Sequence, residues 1–186
     1  GAPIERYVAR AGISPVTLQQ SEPLIPLRQA IRFLREAAAG ESLSNLALLA
    51  GQHATIESLG MYGQLMRRSR TLGDAIGTRV HLAQSFNSGE RWWIERGRDT
   101  VRLCHRFTEP LGPEDAQAEH YTIAMVVNLI RLAAGPTWTP IEVQLCSSHS
   151  PDVPGSPLFH GTRLGFEHPW TTITLDSSLL DEPIGD

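Results

Sequence analysis

Hydrophobic and polar positions along this chain change rhythm near residue 87. Before that point the apolar residues recur at helical spacing. In LRQAIRFLREAAA, Leu27, Ile31, Leu34 and Ala38 share one face, with Pro26 at a first helical position and Gly40 as the expected stop. Ser42 to Ala50 and Ile56 to Met66 predict two further short helices. Thr71-Leu72-Gly73-Asp74 predicts a clean start for a fourth helix running to about Phe86. Thr71 can cap it with its hydroxyl, and Asp74 at the third helical position puts a carboxylate at the positive helix end.

Beyond this point the period falls to two. Glu90 to Glu95 is aromatic and alternating, Gly97-Arg98-Asp99 reads as a turn, and Thr100 to Phe107 alternates again. Val101, Leu103, His105 and Phe107 point one way; Arg102, Cys104 and Arg106 point the other, so a hairpin with one buried face is expected. Pro113 to Gly135 predicts the longest helix, apolar nearly all round from Ile123 to Leu132 and therefore covered on most sides. Pro140 to Cys146 predicts a strand, Ser147 to Pro157 a loop and Leu158 to Gly161 a single turn. Arg163 to Phe166 and Thr171 to Leu175 predict a final strand pair. The expected class is α+β: an N-terminal helical layer, about residues 1–86, then a mostly antiparallel sheet crossed by one long helix. A chain of 186 residues fits a single domain.

Composition narrows the function classes. Hydrophobic residues make up 41%, ordinary for a globular domain, and no apolar run approaches the ~20 residues that span a bilayer. The start lacks a charged head followed by an apolar block, so no signal peptide is expected and a cytoplasmic location is. The formal charge is −4, and all sixteen basic residues are Arg. A domain that grips DNA alone would be basic, so contact with DNA is expected only through another part of a longer protein. The two cysteines, Cys104 and Cys146, suit a reducing compartment and lack metal-binding spacing.

Several local signatures occur in a recognisable order. Ala11-Gly12-Ile13-Ser14-Pro15 precedes Ile25-Pro26-Leu27, then Leu59-Gly60-Met61-Tyr62-Gly63 and Thr71-Leu72-Gly73-Asp74-Ala75. Pro140-Ile141-Glu142-Val143, His149-Ser150-Pro151 and Leu179-Leu180-Asp181-Glu182-Pro183 complete the series. Together they resemble the N-terminal effector-binding, arabinose-binding-like domain of AraC-type transcription regulators across almost the whole chain. The stretch from Phe159 to Phe166 departs from the family's usual pattern, and Trp170 stands near an expected Asn. The resemblance implies a sensor for a small-molecule effector, a homodimer, and a DNA-binding helix-turn-helix domain outside this chain. Gly60 and Gly63 would let two backbones approach closely, either across a dimer or within the fold. Arg67, Arg68 and Arg70 read as a solvated loop, or as a contact with the DNA-binding half.

Candidate chemistry is sparse. None of the seven histidines has metal-site spacing, and neither a metal nor a cofactor is expected. Cys104 and His105 are adjacent in a strand, so they point to opposite faces and form no catalytic pair. His120 and Asn128 are polar residues on the apolar long helix and must find partners or a ligand. Either His120 is a hydrogen-bonded core residue, the ordinary outcome for a buried polar group, or His120 and Asn128 are polar fixtures of an effector pocket with Tyr121 and Met125 as apolar wall. Trp92 and Trp93 present an indole to each face of their strand, one to the core and one to a ligand, a partner or the helical layer. Arg102 is either a carboxylate clamp or a solvated sheet-face residue. The alternatives to a sensor are a ligand-free dimerisation scaffold and an enzyme using Cys104 or His120.

Overall fold

The computed structural model describes residues 3–20, 23–110, 112 and 115–185. Among the described residues, six α-helices surround one side of a five-stranded sheet. The helices are α1 (Ile4–Ala11), α2 (Leu27–Glu41), α3 (Leu46–His53), α4 (Gly60–Arg67), α5 (Leu72–Phe86) and α6 (Ala116–Ala134). The strands are β1 (Glu90–Arg96), β2 (Thr100–Phe107), β3 (Glu142–Gln144), β4 (Arg163–Gly165) and β5 (Thr171–Asp176). The class is α+β, as the change of period predicts.

The helical layer holds one element that the pattern does not single out. Helix α1 buries Tyr7, Val8 and Ala11 at helical spacing and packs on α2. This contact also explains why α2 runs through Gly40 rather than stopping there. A β-carbon at Gly40 would fall on the Tyr7 ring, and the Tyr7 hydroxyl donates to Glu41 at 2.7 Å. The stop comes at Ser42, in the left-handed region with φ 55°. The Ile56–Met66 segment is likewise two pieces: a 3₁₀ turn over Ile56–Leu59, then α4. Gly60 joins them at φ +61°, which a side chain would oppose. Gly63 is buried, and a β-carbon there would meet the Ile56 carbonyl oxygen. Its close approach is therefore internal.

Helix α3 starts four residues later than the pattern suggests because α6 supplies its cap. Gln117 accepts from the Ala47 amide at 2.9 Å and donates to the Ser44 carbonyl. At the other end Asn128 donates to the carbonyls of Gly51 and Ala54, both at 2.8 Å. Helix α5 begins as expected, the Asp74 amide donating to Thr71 Oγ1 at 3.2 Å. The long helix spans Ala116–Ala134 and ends at Gly135; Pro113, its expected start, lies outside the described residues.

The sheet order is β1-β2-β5-β3-β4. β1 and β2 form the expected antiparallel hairpin, with Trp92 opposite His105 and Ile94 opposite Leu103. The final pair is not a pair. β5 lies antiparallel between β2 and β3, and β4 pairs parallel with β3 at the edge. β5 is buried from Thr171 to Leu175, which is why it takes a central place. The inner face (Trp92, Val101, Leu103, Val143, Ile173, Leu175) forms one core with Leu72 and Ile76 of α5 and Ile123, Val127 and Ile130 of α6.

Candidate functional site: an apolar cavity beside a buried arginine

The N-terminal side of α6 faces the helical layer across a gap. Ala118, Tyr121, Thr122 and Met125 line one wall; Val8 of α1 and Ala30, Ile31 and Leu34 of α2 line the other. The cavity between them holds about 600 Å³, within the range of small-molecule sites. Phe86 and Phe107 close it toward the sheet. Its wall is mostly hydrocarbon because the inward faces of α1, α2 and α6 are apolar at helical spacing.

The polar part of the wall comes from α5 and β1. Arg79 and Glu90 both line the cavity, with Asn87 beside them. Arg79 lies on the buried stripe of α5, with Leu72, Ala75, Ile76 and Ala83, and is 6% exposed. Its guanidinium carbon sits 4.0 Å from the centroid of the Trp92 ring, a cation–π stack. Glu90 Oε2 lies 4.0 Å from Nη2, beyond hydrogen-bond distance. Arg79 Nε is buried with no hydrogen-bond partner among the described residues. Glu90 is better satisfied: Trp92 Nε1 donates to Oε2 and Asn87 Nδ2 to Oε1, each at 2.8 Å.

His105 sits behind this cluster, its ring centroid 4.3 Å from that of Trp92. Burial, reinforced by the Arg79 charge, pushes its imidazole down to about 3. Glu90 Oε2, 3.7 Å from His105 Nε2, would favour the charged ring. That carboxylate already faces Arg79, so burial wins and the ring is neutral.

Of the seven residues expected at an effector site, Tyr121 and Met125 line this cavity. The other five predicted residues do not. Trp92 is core, 8% exposed, and reaches the site only by stacking on Arg79. Trp93 faces the opposite side of the sheet and meets Trp170 edge-on at 5.8 Å. Arg102 is on that outer face, half-exposed and paired with Glu95 at 3.3 Å. Asn128 is spent on the end of α3. His120 is 2% exposed, and both ring nitrogens lack partners among the described residues. Burial lowers its pKa, against the Glu119 and Asp152 carboxylates.

Arg79 and Glu90 were missing from the sequence-based site. Arg79 had a readable signal: an arginine at an apolar-stripe position, i+3 from Ile76 and i−4 from Ala83, must find a partner. Glu90 had none, because its role depends on where Trp92 and Asn87 turn.

A second cavity, also about 600 Å³, opens near Arg106, Glu119, Cys146, Glu167 and Thr171. Glu119 is a structural latch there: it accepts from the amides of Cys146 (2.8 Å) and Ser147 (3.0 Å) and from the Thr171 hydroxyl. No group of three or more potential metal ligands occurs among the described residues. No described helix is long and apolar enough to cross a membrane.

A helical layer is thus folded over a long helix and a sheet, with a lined cavity between them. The chain belongs to the family described as the arabinose-binding domain of AraC transcription regulator, N-terminal, whose model matches residues 1–184. Among solved structures, the crystal structure of the transcriptional regulator CdpR from Pseudomonas aeruginosa is similar in fold, with a TM-score of 0.67 at 18% identity. That match covers 98% of this chain and 56% of the CdpR chain, so this chain spans little more than half of its neighbour's length. Comparison with curated proteins gives no match.

Proposed function

We propose that this chain is the sensing half of an AraC-type transcription regulator, and that its effector binds in the cavity between α1–α2 and α6. The observation that carries this is a largely apolar cavity of about 600 Å³ in a member of a regulatory domain family. An occupant would favour the arrangement of the helical layer that it fits best, and its effect is limited to its differential affinity for the two arrangements. The family relation supports a homodimer in the cytoplasm whose DNA contacts belong to a separate helix-turn-helix domain. The thiols support a non-catalytic role. Burial pushes Cys104 up to about 12; Cys146 is exposed as a residue, but desolvation of its thiol and the neighbouring Glu119 carboxylate push it up to about 11, so neither is a ready nucleophile at neutral pH.

A thermal-shift screen of metabolites, followed by native mass spectrometry, tests this. A ligand at 100 times its dissociation constant adds about 2.7 kcal/mol of stability. Ala30→Trp, which fills the cavity from α2, should abolish the shift while leaving the fold intact. A ligand whose affinity ignores that block binds elsewhere, and the cavity assignment fails. A dimer that responds to no compound is a scaffold.

A further inference from the structure

One anomalous group lines the cavity itself, the Arg79 guanidinium. It carries five donors on a permanently charged plane, yet its Nε has no hydrogen-bond partner among the described residues and its carboxylate contact is at 4.0 Å. Buried donors of this kind are rarely left open. The stack on Trp92 explains the arrangement. It occupies a face of the guanidinium, and the N–H donors lie in the plane of the group, at its edge. An arginine held by its face beside a cavity is set to receive a planar anion edge-on.

The rest of the wall decides what that anion is attached to. Away from Arg79, Glu90, Asn87 and the polar atoms of Tyr121 and Thr122, the lining is aliphatic and aromatic, including Val8, Ile31, Leu34, Phe107 and Met125. Both Glu90 oxygens already accept hydrogen bonds from the protein. A cationic head would meet the Arg79 charge, and a doubly charged anion would face the Glu90 carboxylate at close range.

We infer that the effector is an amphipathic monocarboxylate, its carboxylate against the Arg79 guanidinium where it lines the cavity and its apolar tail between α2 and α6. This inference rests on the sensing role proposed above and names the ligand class for the same cavity.

The test is calorimetric titration of the 186-residue chain with decanoate, methyl decanoate, decanol, decyl phosphate and decyltrimethylammonium, all below their aggregation concentrations. Decanoate should bind about ten- to a hundred-fold tighter than its methyl ester, the margin expected of charge-assisted hydrogen bonds. Arg79→Met should erase the margin by weakening decanoate alone, and Arg79→Lys should keep part of it. If Arg79→Met fails to fold, the wild-type series still decides. Equal affinity for acid, ester and alcohol overturns the carboxylate assignment but leaves the cavity as a site. Tighter binding of decyl phosphate or of the quaternary ammonium also overturns it. No binding of decanoate refutes the inference; the sensing role falls with it only if the metabolite screen is also silent.

Discussion

Asn128 donates its side-chain amide to the Gly51 carbonyl at 2.8 Å and to the Ala54 carbonyl at the same distance. One side chain of α6 thus closes the end of α3, a helix whose last carbonyls would otherwise lack donors. Asn128→Leu should cost about 1–3 kcal/mol, because it leaves half-buried acceptors unpaired. Asn128→Asp should be no better, since a carboxylate cannot donate. A lower urea midpoint at constant slope is the readout. If either variant matches the wild type, the clip contributes nothing.

Gly51 and Gly77 are both helical glycines, and they should respond in opposite directions. A β-carbon at Gly51 would stand 2.6 Å from the Ala124 β-carbon and 3.1 Å from the Tyr121 carbonyl oxygen. Gly51→Ala should therefore destabilise by about 1–3 kcal/mol through overpacking of α3 on α6. At Gly77 nothing lies within 4 Å. Gly77→Ala should gain up to about 1 kcal/mol from helix propensity alone. Thermal unfolding of the two variants side by side checks the sign.

His105 makes stability depend on pH below neutrality. Its folded-state value is about 3 and its unfolded value about 6.5. The unfolded chain therefore binds the extra proton between those limits, and stability falls as pH drops through that window, by up to about 1.4 kcal/mol per pH unit. His105→Gln should flatten this part of the curve. Denaturant midpoints at a series of pH values, wild type against variant, would show parallel curves if the ring were already charged in the fold.

His120 offers a contrast with the pocket role that its position suggests in the sequence. Its two nitrogens are buried without partners among the described residues, and it does not line the cavity. His120→Leu should be neutral or stabilising, since it replaces an unsatisfied polar ring with hydrocarbon. Ligand affinity should not change. A loss of binding in this variant, with stability preserved, would place His120 in the site after all.

The architecture was legible because two periods mark the chain, 3.6 in the helices before residue 87 and in the long helix, and 2 in the strands on either side of that helix. The Thr71 cap and the β1–β2 hairpin follow from local chemistry, and both appear where the residues put them. Local pattern does not encode the order of distant strands, so β4 and β5 read as partners although β3 lies between them. It also does not say which polar residue is consumed by the fold. Asn128 and His120 have the same helical context as Tyr121 and Met125, and only tertiary packing separates their roles, the end of α3 in the case of Asn128. Arg79 was the readable clue that mattered, a charge on an apolar stripe.

The interior is divided rather than continuous. Val8, Ala11 and Ile13 form a small cluster of their own, with Ile25 and Phe33, apart from the cluster of the sheet and α6. The cavity lies along the seam between these parts. A molecule seated there would touch both parts, adding to the ion pairs of Arg28 with Glu109 and Arg35 with Asp115 that already tie α2 to the rest. On the sensing role proposed above, a guest would therefore hold the first pair of helices more firmly against the long helix.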